Sequence, residues 1–137
     1  MARQVTALIV DDHRLLRELY RAVLEAEGIC TAETGNGAEA LLWLQHKIPD
    51  IILLDLEMPV MDGRSLLEYR VRHPRIRRIP VLVVSGYGED TELCQSLSRL
   101  GANMTLQKPV GCAELIGSVR KILGNPDIPD LSPSRAG

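Results

Sequence analysis

At 137 residues with a formal net charge of −2, the chain has the length of one ordinary domain, enough to bury about two-thirds of its unfolded surface without covalent staples. No apolar segment approaches the roughly 20 residues of a membrane span, and the N-terminus lacks a signal-peptide pattern, so neither a membrane protein nor a secreted one is expected. The charge gives no overall pull toward nucleic acid, and Cys30, Cys94 and Cys112 are odd in number and far apart, so no disulfide or metal framework is indicated and a reduced, cytoplasmic setting is expected.

In chain order, Ala7 to Val10 reads as a buried strand that stops at Asp11 and Asp12. A helix follows from His13 to Glu27, with Leu15, Leu16, Leu19, Tyr20, Val23 and Leu24 at helical spacing and Gly28 closing it. Ile29 to Glu33 is strand two, and the turn through Gly35 and Gly37 leads to a second helix carrying Leu41, Leu42 and Leu44, ended by Pro49. Strand three, Ile51 to Leu54, runs into Asp55 and then the turn chemistry of Pro59 and Asp62-Gly63. Arg64 to His73 is a third helix with Leu66, Leu67 and Val71 inward, broken by Pro74. Strand four, Val81 to Val84, ends at Ser85 and opens into a mobile-looking Gly86-Tyr87-Gly88 loop. A fourth helix from about Asp90 to Leu100 buries Leu93, Leu97 and Leu100, strand five is Asn103 to Gln107, and after Lys108-Pro109 a last helix carries Leu115, Ile116, Val119, Ile122 and Leu123. The domain therefore spans residues 1–124, and 125–137, with three prolines and no apolar period, is expected to be a disordered tail or the start of a linker.

Strands alternating with helices predict an α/β fold: a doubly wound, five-stranded parallel sheet of the flavodoxin-like type, order 2-1-3-4-5, with helices on both faces and right-handed crossovers. Ligands of such sheets sit outside the carboxyl ends of the strands, at the switch in strand order. Four of the five strands here end in a group capable of chemistry: Asp11-Asp12, Asp55, Ser85 and Lys108.

In that order strand three lies between strands one and four, so Asp55 is flanked by the acid pair and by Ser85. Two unit charges about 4 Å apart repel by roughly 4 kcal/mol at an effective dielectric near 20. Three such pairs approach about 12 kcal/mol, comparable to the roughly 5 to 15 kcal/mol that holds a domain together. One lysine does not cancel this, so either a carboxyl keeps a proton or a divalent cation enters. Few carboxylates with room for water and a phosphoryl oxygen suit magnesium, or manganese in its place. An ionised Asp55 beside that metal could attack phosphorus, with Lys108, the Ser85 hydroxyl and backbone amides around the transferred group.

The acid pair after strand one, the segment LLDLEMPVMDG, Ser85 after strand four and Lys108-Pro109 after strand five together resemble the receiver domain of two-component response regulators, over about residues 5–124. The resemblance implies Asp55 as phosphoacceptor, Asp11 and Asp12 as magnesium acids with Asp55 and the Glu57 carbonyl completing the set, and Ser85 and Lys108 as the family's hydroxyl and lysine. The backbone at Glu57 and Gly86 would help hold the phosphoryl group, and Lys108-Pro109 is expected to be cis. It further implies a histidine kinase or phosphotransfer protein as donor, and a downstream partner or output domain at the face of helix four, strand five and helix five. Homodimerisation is left open, as is whether the chain stands alone or is part of a longer regulator.

The sequence departs from the family pattern at Thr105, three positions before the lysine, where relatives carry an aromatic; Tyr87, between two glycines, is the candidate replacement, the alternative being an exposed loop tyrosine. Glu57 should overhang the site and tune the lifetime of the phosphorylated form. Three other functions are weighed. An aspartyl-phosphate phosphatase of the haloacid dehalogenase type looks for a second acid two residues after the nucleophile, which Asp55-Leu56-Glu57 only approximates. A pseudo-receiver that never carries phosphate leaves the full acid, hydroxyl and lysine set unexplained, and nucleotide binding lacks any glycine-rich phosphate loop. Arg70, Arg72, His73, Arg75, Arg77 and Arg78 form the one basic cluster; without interleaved aromatics it reads as a solvated loop and not a nucleic-acid surface. His13, His46 and His73 share no ligand spacing and are placed on helix surfaces, and Trp43 is read as partly buried or a contact residue.

Overall fold

Short runs of Val, Ile and Leu with no polar alternation can be satisfied only where both faces of a strand are covered. The computed structural model, which describes residues 4–124, places them so. The strands are β1 (Thr6–Val10), β2 (Cys30–Thr34), β3 (Ile51–Asp55), β4 (Val81–Ser85) and β5 (Met104–Gln107); the helices are α1 (Arg14–Ala26), α2 (Gly37–Leu44), α3 (Gly63–Val71), α4 (Thr91–Arg99) and α5 (Cys112–Leu123). All neighbours pair in parallel in the order β2-β1-β3-β4-β5, as the alternation of elements predicted. The 125–137 tail lies outside the described residues.

Strand alternation sorts the core into two halves. Ile9, Leu53, Leu82, Val84 and Leu106 face Tyr20 and Leu24 of α1 and Leu115 and Val119 of α5. Leu8, Ile52, Leu54, Val81 and Val83 face Ala40 and Leu44 of α2, Leu66 and Leu67 of α3 and Leu97 of α4. Every strand residue of β3 and β4 is buried, so these two form the rigid base of the carboxyl rim.

The helices start where short polar side chains can accept from orphan amides. Asn36, Asp62 and Asp90 cap α2, α3 and α4 through Glu39, Ser65 and Leu93. At α1 the cap is His13 rather than either acid, its ring accepting from the Leu16 amide. This leaves the acids free for the rim. Gly28, at φ +82, closes α1 as expected.

Three expectations need correction. Val71, read as inward, is exposed at the last residue of α3, while Leu66, Leu67 and Arg70 take the buried face. Leu15, part of the apolar repeat of α1, is 68 % exposed, and Leu19 is exposed with it. Arg70, read as one of a solvated basic run, is 4 % exposed: its guanidinium donates to the Ile79 carbonyl at 3.1 and 2.6 Å and to that of Leu100 at 3.3 Å, stapling the entry of β4 to the end of α4.

Candidate functional site

Parity and register decide which side chains meet at the carboxyl rim. Val10 pairs with Leu54, and Asp55 pairs with Val84, which in turn pairs with Leu106. Asp55 and Lys108 thus project toward the same side as Val84 and Leu106, the side covered by α1 and α5. There Lys108 Nζ stands 3.1 Å from Asp55 Oδ1 and 3.4 Å from Asp11 Oδ2. Asp11 and Asp55 are 2 % and 6 % exposed, whereas Asp12 is exposed. One carboxylate oxygen from each of the three acids lies within 4.8 Å of the others. Two are walled off from water and the third opens to it.

The acids are held from behind. Asp11 receives the His13 amide on Oδ1 at 2.8 Å, and its carbonyl accepts from Arg17 at 2.6 Å, which itself pairs with Glu33 of β2. The Glu57 amide lies 3.4 Å from Asp55 Oδ1. Burial, with the Asp11 charge adding to it, raises the Asp55 pKa from the usual carboxylate range, and Lys108 opposes the rise. For Lys108, burial alone would lower the pKa, but the two carboxylates outweigh it and the net direction is up. The ammonium is therefore fixed, and the acids still outnumber it.

The loop after β3 turns sharply back over this rim. Gly63 begins α3 so close to the strand that a Cβ there would stand 2.9 Å from the Leu56 Cα. Val60, the residue between, takes φ +67 while the Met61 amide bonds the Pro59 carbonyl at 2.7 Å, a γ-turn of the strained hand in a β-branched residue. Glu57, just before it, reaches out so that its Oε1 lies 4.0 Å from where a Gly86 Cβ would be. Its carboxylate thus approaches the loop that follows β4.

Ser85 is buried at the end of β4, one residue past the register partner of Asp55. Its hydroxyl accepts from the Tyr87 amide at 3.0 Å, so it is engaged with its own loop and not with the acid cluster. Its carbonyl accepts from Lys108 N at 2.8 Å, and Lys108-Pro109 is cis. Tyr87 is 59 % exposed, while Thr105 is half-buried opposite Val83.

The loop after β4 is pinned rather than loose, which the sequence did not indicate. Gln107 donates from its amide to the Gly86 carbonyl at 2.8 Å and accepts from the Glu89 amide at 2.9 Å. Gly88 runs so close to β5 that a Cβ would lie 2.7 Å from the Gln107 Cα. A glutamine at a strand end carries no sequence signal for such a clamp. Tyr20 was legible only as core: it lines a cavity of about 380 Å³ with Leu16, Leu19, Lys108, Pro109 and Val110, beside the ammonium, and burial raises its pKa.

Residues 7–120 match the family model described as the response regulator receiver domain. The chain is 29 % identical over 123 residues to the polar-differentiation response regulator DivK of Brucella anthropi, covering 88 % of this chain and 97 % of that one. Among solved structures, the receiver domain of the Francisella response regulator 1452 is 30 % identical with a TM-score of 0.79, covering 87 % of this chain and 96 % of that one. The chemotaxis response regulator CheY4 of Vibrio cholerae is 26 % identical with a TM-score of 0.83, covering 88 % and 100 %. With the family model spanning most of its length and the same sheet order beneath the acid cluster, the chain belongs to the receiver domains of two-component response regulators.

Proposed function

We propose that this receiver accepts a phosphoryl group on Asp55 from a histidine kinase or phosphotransfer protein and thereby changes its affinity for a partner. The observation that carries the reading is three acids within 4.8 Å of one another and a single ammonium touching two of them. So much like charge gathered on rigid strand ends is costly to stability without a cationic or phosphoryl ligand.

The donor set suits magnesium, or manganese: two buried oxygens, one exposed, with the Glu57 carbonyl as the further ligand and open space for water. When bound, such an ion neutralises the acids and draws charge from phosphoryl oxygens. Asp55 supplies the nucleophile. Its carboxylate oxygen forms the new bond to phosphorus as the bond to the donor imidazole nitrogen breaks and that nitrogen keeps the electron pair. Lys108 meets the new negative charge, and the amides near Glu57 and Gly86 add donors. Ser85 exchanges the Tyr87 amide for a phosphoryl oxygen. Because the same loop is clamped by Gln107, that exchange is passed to β5 and to the face formed with α4 and α5, where the partner or output domain docks. With Thr105 in place of an aromatic, Tyr87 is the ring available to move. Glu57, above Gly86, governs the approach of hydrolytic water.

Incubation with a small phosphodonor and magnesium, read by intact mass, should give a single phosphoryl adduct in the native chain and none in Asp55→Asn. An unmodified native chain overturns the reading. Native protein that turns over a simple phosphate ester would favour a phosphatase.

A further inference from the structure

The basic run after α3 takes no part in the site above. Ile76 and Ile79 are buried, and the turn is closed by the Ile76 and Arg77 amides on the His73 carbonyl and the Ile79 amide on that of Ile76, at 3.0 to 3.2 Å. The two isoleucines anchor the turn and leave Arg72, Arg75, Arg77 and Arg78 exposed. Among the described residues none of these four is paired with a carboxylate, whereas Arg14, Arg17, Arg21, Arg64 and Arg120 each pair with a glutamate. With the chain at −2 overall, four positive charges here leave −6 for everything else.

Beside this turn, between the ends of α2 and α3, lies a cavity of about 250 Å³ walled by Leu41, Leu44, Ile76 and the Tyr69 and His73 rings, with Arg75 at its edge. The rings stack at 3.7 Å and 8°, and His73 Nδ1 lies 2.6 Å from the Tyr69 carbonyl, which fixes the imidazole. Arg75 bonds the Leu44 carbonyl and so ties the turn to α2. Leu42 and Ile48 are exposed nearby along the chain, and Trp43 is half-buried with Lys47 Nζ 5.8 Å above its ring. The volume suits one apolar or aromatic side chain, not a helix.

We propose that this surface docks an acidic segment of a partner protein, one apolar or aromatic side chain seated between α2 and α3 and flanking carboxylates on Arg72, Arg75, Arg77 and Arg78. Charge complementarity identifies the occupant: arginines without carboxylate partners are suited to bidentate carboxylate recognition. Nucleic acid is disfavoured because no Phe, Tyr or Trp is interleaved with the four arginines to stack on bases. The surface feeds the amino end of β4, roughly 16 Å of strand away from the acid cluster, so it can be occupied whatever the state of Asp55.

The test is a titration of ¹⁵N-labelled protein, followed by amide shifts, with a peptide of glutamates flanking one phenylalanine, the same peptide with glycine at its centre, and a single-stranded oligonucleotide of equal charge. Shifts confined to residues 41–47 and 69–78, weakened about fivefold by the glycine peptide and about tenfold by the double variant Arg77→Glu/Arg78→Glu, are expected. The two arginines are exposed and unpaired, so that variant keeps its fold. Absent or scattered shifts, equal affinity for the two peptides, or tighter binding of the oligonucleotide would each overturn the proposal.

Discussion

The two ends of the sheet each bury charge, and they do so to opposite effect. At the amino end Arg70 meets carbonyl oxygens on Ile79 and Leu100, and burial alone lowers its pKa, with no carboxylate opposing the shift. At the carboxyl end Asp11 and Asp55 share one ammonium, with a third acid beside them. The first arrangement is complete and serves structure. The second holds a surplus of one sign, and that surplus is what an incoming cation or phosphoryl group relieves.

Removing each cation is the sharpest way to break the comparison. Arg70→Ala leaves two carbonyls without their donor and a cavity behind, and should cost about 3 kcal/mol in urea unfolding, nearly the same at pH 5 and pH 8. Lys108→Met should cost about 2 kcal/mol at pH 7, discounted because the side chain is partly solvated, and should recover as the medium is acidified, since Asp55, whose raised pKa Lys108 had opposed, takes up a proton. Equal pH dependence in the two variants would erase the distinction between the ends.

Asp55→Asn acts in the other direction. It removes a repulsion with Asp11 and an attraction to Lys108, which act in opposite directions, and with burial of the carboxylate the largest cause of the raised pKa the net effect is a gain of about 1 kcal/mol at pH 7. The pH sense follows from the raised folded pKa. Below the unfolded value near 3.8 the native carboxyl is protonated in both states and contributes nothing; as pH rises through the folded pKa the native protein loses stability that the variant keeps. The gain should therefore shrink toward zero near pH 4, and a gain that instead grows on acidification would contradict the assignment. Raised Lys108 works oppositely, its contribution present at neutral pH and lost only above the ordinary lysine range. Val60→Gly relaxes the positive-φ turn beside the rim and should stabilise by about 1 kcal/mol. Gln107→Ala, which frees the loop after β4, should cost about 0.5 to 1 kcal/mol and increase hydrogen exchange at Glu89, leaving Asp55 chemistry intact.

What could be read from residues alone was what rests on period and position. Unbroken apolar runs marked β1, β3 and β4, the alternation with helices placed β2 and β5, all to within a residue, and the acids, serine and lysine at their ends follow from topology. What could not be read depends on the angle at which a side chain leaves its element. Arg70 and Arg72 are indistinguishable as letters, yet one points between α4 and β4 while the other caps α3 in solvent. Leu15 fits the repeat of α1 and still faces water, because period identifies a stripe and not how far the neighbouring α5 covers it. Gln107 looks like any polar strand end; only the approach of Gly88 to β5 makes its amide a clamp.

The most direct test is the position of the phosphoryl group itself. Protein treated with a small phosphodonor and magnesium, trapped by borohydride reduction and digested, should carry homoserine at position 55 and nowhere else, and omission of the divalent cation should abolish it. Homoserine at position 11 or 12, or phosphate retained on a serine or histidine with Asp55 untouched, would contradict the account.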